Sequence, residues 1–106
     1  MARNTAEVLE QGAQTFKDRQ PIYGNNLPKI GGALAAMFPD GLTLKTEQDF
    51  GRFYCFLMTV VKQTRYANNF STGGHPDSSY DACVYSAMLA AADEDYQHAA
   101  SQRATP

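Results

Sequence analysis

Charge of one sign does not dominate this 106-residue chain: 9 Lys and Arg stand against 11 Asp and Glu, giving a formal charge of −2 and a pI near 5.5. Without a global positive field there is no general pull toward nucleic acid or an anionic membrane, so any bound anion must be held by a local cluster. Cysteine is scarce as well. Cys55 and Cys83 both fall in apolar helical runs, with no CxxC or Cys/His spacing. That argues against a zinc site or disulfide framework and predicts two buried, reduced thiols in a reducing compartment, the cytoplasm. No apolar run approaches the ~20 residues of a membrane span, and the N-terminus lacks the charged-then-apolar order of a signal peptide. A soluble protein is expected. No alternation of apolar and polar residues marks a strand and no internal repeat is visible, which leaves an all-α class. The length fits one domain, residues 1–100, followed by a polar, disordered tail at 101–106.

What is present reads as four helices. Asn4 with Glu7 forms an N-cap signal, and Val8, Leu9, Gly12 and Phe16 then make a helical stripe over residues 5–17. Residues 18–26 contain Pro21, Gly24, Asn25 and Asn26 and predict a turn. Pro28 suits the opening of a second helix, 28–38, whose apolar positions Ile30, Leu34, Met37 and Phe38 recur at helical spacing until Pro39, Asp40 and Gly41 stop it. Gly31 and Gly32 weaken that helix by about 1 kcal/mol each relative to Ala, which predicts close packing against a neighbour or ligand. Thr46 and Asp49 resemble a cap pair for a third helix, 47–67. Its stretch 53–61 is apolar almost all round, so it should be central. Residues 71–76 read as a flexible loop. A fourth helix, 77–98, should face inward with Tyr80, Val84, Met88 and Leu89. The first two helices are short and leave the third needing cover, so a homo-oligomer is expected.

The most informative stretch lies at the start of helix four. Asp77, Asp81 and Tyr85 stand at i, i+4 and i+8 and share one helical face. Two carboxylates and a phenol beside Ala82, Cys83 and Val84 suit a polar site within a helical bundle. Such a site needs cations, and Lys62 and Arg65 on helix three can supply them. Arg19 and Tyr23, flanking the expected turn, have the chemistry to clamp a phosphate and stack on a base. Simpler readings stand beside these. Asp77 and Asp81 can pair with Lys62 and Arg65 as an ion cluster that fixes helix register. Asp77 alone can serve the helix N-terminus. His75 is a loop histidine, and His98 carries no role.

Taken together, Asp18-Arg19-Gln20, Tyr23-Gly24, Lys62-x-x-Arg65 and His75-x-Asp77-Ser78-x-x-Asp81-x-x-x-Tyr85 resemble a family of small phage and prophage proteins. That family is similar in helical layout to the MazG-type all-α NTP pyrophosphohydrolases. The resemblance covers roughly residues 6–92 and implies a MazG-like four-helix bundle that is oligomeric and handles nucleotides. It departs from the pattern in two places: the turn after Gly24 is about three residues short, and Asp49 lies about one helical turn farther from Lys62. MazG-type enzymes hold magnesium with an E-E-x-x-E cluster and an E-x-x-D pair, because hard cations want several carboxylate oxygens. This chain has no E-E-x-x-E, and Ser78-x-x-Asp81 stands where E-x-x-D would. Three readings follow. The first is a protein that binds a nucleotide or nucleotide-derived signal at Arg19, Tyr23, Lys62, Arg65, Asp77, Asp81 and Tyr85 without hydrolysis, as a phage would to sequester an immune messenger in the host cytoplasm, with no cofactor. The second is a magnesium-dependent nucleotide pyrophosphohydrolase with Asp77 and Asp81 as metal ligands, aided by Glu47 or Asp49. The third is a protein-protein module whose polar cluster is structural. Nucleic acid and membrane are not expected partners under any of them.

Overall fold

The computed structural model describes residues 2–23 and 26–104, and for residues 21–23 and 104 the backbone alone. Among the described residues the chain is helical with no strand. The helices are α1 (Thr5–Tyr23), α2 (Asn26–Met37), α3 (Glu47–Asn68) and α4 (Pro76–Ala104), with a 3-10 turn at Phe70–Thr72 between the last two.

The helix starts follow local chemistry. The Asn4 side chain accepts from the Glu7 amide at 2.9 Å and caps α1. At α3 the box is complete: the Thr46 hydroxyl accepts from the Asp49 amide at 3.0 Å, and the Asp49 carboxylate accepts from the Thr46 amide at 3.1 Å. Pro76 opens α4, where its missing N–H costs nothing. Gly41, with φ +83°, closes the turn that ends α2 by donating to the Phe38 carbonyl.

Helix α3 lies at the centre and packs on α1, α2 and α4. It supplies the buried residues Cys55, Thr59 and Val60, and Thr59 satisfies its hydroxyl on the Phe56 carbonyl at 2.6 Å. The α3/α4 pair is antiparallel, as Arg52–Asp93, Tyr54–Tyr85 and Lys62–Asp81 show in succession. Helix α2 adds an edge-to-face contact from Phe38 to Phe56, with centroids 5.4 Å apart. Its N-terminal end is tied to the end of α3, where Asn68 donates to Asn26 and accepts from Lys29.

Several expectations are corrected. Residues 18–23 are not a turn, because α1 runs on to Tyr23. Proline can hold a helical φ, and Pro21 forfeits one bond, to the Lys17 carbonyl, within the last two turns. The expected turn at Gly24 and Asn25 lies outside the described residues. Residues 71–76 are hydrogen-bonded: the Thr72, Gly73 and Gly74 amides donate to the carbonyls of Asn69, Phe70 and Asn69. Helix α4 extends through Ser101 to Ala104, since Ala, Gln and Arg are good helix formers. Thr105 and Pro106 lie outside the described residues. Gly31 and Gly32 face open space, where an added Cβ meets nothing within 4 Å. Cys83 is exposed while Cys55 is buried, and both are free thiols. The inward face of α4 also differs from the expected one. Tyr80, Val84 and Met88 are exposed, and α4 meets α3 through Ser78, Asp81, Ala82, Tyr85, Leu89 and Ala92, so of the expected apolar row only Leu89 faces inward.

The shape is open. The radius of gyration is 18.2 Å, against about 13 Å for a compact domain of this length. The exposed surface is 7998 Å², roughly 2,000 Å² above the ~5,800 Å² typical of a folded monomer of this mass. Among the described residues no helix is long and apolar enough to cross a membrane.

Candidate functional site

The antiparallel packing of α3 on α4 brings Lys62 and Asp81 together, with Nζ 3.2 Å from Oδ2. Burial is unequal: the Lys62 side chain is 13% exposed and that of Asp81 43%. The lysine stem runs along the helix interface and its head meets the carboxylate near solvent. One turn further along α4, Tyr85 packs edge-on against Tyr54 of α3, with centroids 5.9 Å apart at 82° and hydroxyls 3.4 Å apart. The hydrogen bond to Tyr85 is the main reason the Tyr54 phenol is pushed above its usual value, and the nearby Lys62 acts in the opposite direction. Lys62, Asp81, Tyr85 and Tyr54 therefore form one cluster.

The other expected residues are less closely joined. Arg65 is half-buried one turn along α3 from Lys62, and its carbonyl accepts from the Asn69 side chain at 2.8 Å. Asp77 is exposed in the first turn of α4, where a carboxylate complements the partial positive charge of the helix end. No partner for its side chain is seen among the described residues. Arg19 is exposed on α1, and the Tyr23 side chain lies outside the described residues.

Beside the cluster a groove of about 340 Å³ opens between α3 and the start of α4, lined by Lys62, Gln63, Tyr66, Ser78, Ser79 and Ala82. Its floor is held rigidly. Ser78 is 1% exposed, and its hydroxyl lies 2.5 Å from His75 Nδ1 across the helix start. Ser79 donates its amide to the His75 carbonyl and its hydroxyl to the Pro76 carbonyl. Tyr66 rests on the backbone of Gly74, whose φ of +85° only glycine adopts easily. His75 thus has a structural part beyond that of a plain loop histidine.

Sequence reasoning missed a second polar cluster. Arg52 Nε donates to Asp93 at 2.7 Å, its Nη1 lies 4.0 Å from Asp49, and its guanidinium sits 4.1 Å above the Tyr96 ring. The bond to Asp93 raises the Arg52 pKa further, so the guanidinium stays charged. An apolar hollow of about 250 Å³ adjoins it, walled by Phe38, Leu44, Phe53, Phe56 and Leu89. Asp93 and Tyr96 of α4 hold Arg52 with Asp49 of α3 close by, which makes it a clasp between the start of α3 and the middle of α4. The available signal was the spacing: Asp49 and Arg52 at i, i+3, and Asp93 and Tyr96 at i, i+3.

Magnesium fits these residues poorly. Asp49, a suggested ligand, is committed to the α3 cap, and its hydrogen bonds from the Lys45 and Thr46 amides hold its carboxyl below the usual range. The Lys62 ammonium occupies the position beside Asp81 that a cation would take. Among the described residues no group of three or more His, Cys, Asp or Glu is placed to hold a metal ion.

Comparisons of this chain with protein-family models, with curated proteins and with solved structures find no match.

Proposed function

We propose that this protein binds a phosphorylated, nucleotide-type molecule in the groove between α3 and the start of α4, and holds it without hydrolysis. The single observation that carries this reading is the open groove with Lys62 on its wall and the first turn of a 29-residue helix at its floor. The dipole of that helix end favours an anion close to it. Lys62 adds a full charge, Arg65 another one turn away, and Tyr66 offers a ring face for a base. Asp81 holds Lys62 in the free fold. An arriving phosphate competes for the same ammonium and leaves Asp81 and Tyr85 to accept from ribose or base donors. Arg19, exposed on α1, is an outer contact in this proposal, and Asp77 is exposed in the first turn of α4.

The resemblance to the MazG-like layout supports a nucleotide as the anion. A phage origin would make the act one of sequestration in the host cytoplasm. The hydrolytic alternative is weakened by the placement of Lys62 and Asp49 just described. A second reading, the interaction module, draws on one specific observation: a half-solvated Lys62–Asp81 pair is also what a purely structural ion pair looks like.

Incubation with a panel of ribo- and deoxynucleotides plus Mg²⁺, followed by product analysis, separates the three. Saturable binding with intact nucleotide recovered supports the proposal. Steady release of pyrophosphate or monophosphate, abolished by Asp81→Asn, assigns hydrolysis instead. No binding to any member of the panel leaves the interaction module.

A further inference from the structure

The segment that follows α2, the first half of α3 and the middle of α4 meet around the apolar hollow of about 250 Å³ beside Arg52. Phe38, Leu44, Phe53, Phe56 and Leu89 wall it, and the edge-to-face contact of Phe38 with Phe56 fixes two of these rings. At roughly 30 Å³ per molecule of liquid water, the space equals about eight waters. That lies just under the ~300–1,000 Å³ of sites for drug-sized ligands, so an occupant is no larger than one ring with a short arm. Water itself fits poorly, because rings and methyl groups give it few partners.

The charged side chains that line the hollow decide the chemistry of the occupant. Asp49 and Asp93 stand against Arg52 alone, an excess of one negative charge. The guanidinium is already engaged: its Nε donates to Asp93 Oδ1 at 2.7 Å, and its face lies over Tyr96. Asp93 is half-buried, and its second oxygen, Oδ2, receives no hydrogen bond among the described residues. Asp49 turns Oδ2 to the Lys45 and Thr46 amides and leaves Oδ1 4.0 Å from Arg52 Nη1, beyond hydrogen-bond reach. Those amides also keep its carboxyl ionised. Two carboxylate oxygens at the edge of an apolar hollow therefore lack a donor.

An anion here would add to the negative excess. A hydrocarbon would strip water from the carboxylates and return no hydrogen bond. A metal ion would find too few ligands, since among the described residues no group of three or more His, Cys, Asp or Glu is placed to hold one. We infer that the hollow binds a small primary amine with an aromatic or branched apolar body, its body among Phe38, Phe53 and Phe56 and its ammonium on Asp93 Oδ2 with Asp49 nearby. An ammonium brings three donors, cancels the excess charge and meets aromatic walls that favour a cation. The residues involved are not those of the groove beside Lys62, so this site stands whether or not that groove takes a nucleotide.

The test is a titration of the full chain, followed by NMR, with phenethylamine, phenylethanol and phenylacetate, which share one ring and differ in the head group. Phenethylamine is expected to shift the Leu44 and Leu89 methyl signals saturably and to leave Ala82, in the Lys62 groove, in place. Phenylethanol should bind about tenfold or more weakly for want of the charge-assisted bond, and phenylacetate weakest of the three. Asp93→Asn should remove the advantage of the amine over the alcohol, whereas a merely structural Asp93 would weaken both alike. If that variant loses its helical circular dichroism, the wild-type ranking of the three probes decides alone. Equal affinities for amine and alcohol, tighter binding of phenylacetate, or no saturable shift at the hollow overturns the inference.

Discussion

Removing either partner of the Lys62–Asp81 pair should cost the fold unequal amounts. Asp81 is 43% exposed and Lys62 13%, so Lys62→Met leaves a carboxylate that water can solvate while keeping the packed stem. The loss is then that of a partly screened ion pair, up to about 1 kcal/mol. Asp81→Asn leaves an ammonium with little access to water and only a neutral amide to face it. Stranding a mostly buried charged donor costs about 1–3 kcal/mol. Urea unfolding of the two single variants and the double variant reads this directly, provided the m-value stays constant. Asp81→Asn is expected to be the more damaging, and the double variant to recover part of its loss. The site account adds a second consequence. Asp81→Asn frees Lys62 for an external anion, so inorganic phosphate should stabilise that variant more than wild type. Equal costs, or a phosphate effect no larger than in wild type, would refute the assignment of Lys62 as the groove's cation.

Other outcomes follow from the same structure. Gly74→Ala places a Cβ 2.6 Å from the Tyr66 ring at φ +85°, which should cost at least the ~1–2 kcal/mol of a left-handed alanine, and fluorescence of a nucleotide analogue should report a disturbed groove. Gly31→Ala, with open space around it, should stabilise α2 by about 0.5–1 kcal/mol in thermal unfolding; destabilisation would mean that this face is packed. Asp49 has a folded pKa below its unfolded one, so its contribution is full above the unfolded value near ~4 and fades as pH falls through the folded value. The acid limb of the melting curve should therefore be shallower in Asp49→Asn, and an unchanged limb would contradict the cap assignment.

The cap signals were legible in the sequence because they are local. Asn4, Thr46 with Asp49, and the stop at Gly41 each act through bonds a few residues long, and the structure forms them all. The pairing of Lys62 with Asp81 was legible too, since spacing placed both on facing sides of adjacent helices. The direction of the apolar row on α4 was not. Sequence pattern identifies an apolar stripe but not which neighbour it faces, and Tyr80, Val84 and Met88 turn away from α3 while the semi-polar row of Ser78, Asp81 and Tyr85 packs against it. Burial of Cys83 failed for the same reason. Arg52 went unnoticed because its partners, Asp93 and Tyr96, are some 40 residues away and only the antiparallel packing brings them near. The end of α1 was misplaced because Pro21 is a strong breaker on average but an affordable one near a helix terminus.

The central claim is that the groove beside Lys62 retains an intact nucleotide. Mass spectrometry of the small molecules released by heating protein exposed to a nucleotide-rich lysate tests it most directly, with wild type and Lys62→Ala compared in parallel. Loss of a desolvated, charge-assisted contact should weaken binding by roughly 2–4 kcal/mol. The account predicts an unhydrolysed nucleotide from wild type and little from the variant. An empty wild-type sample, or equal release from both proteins, would contradict it.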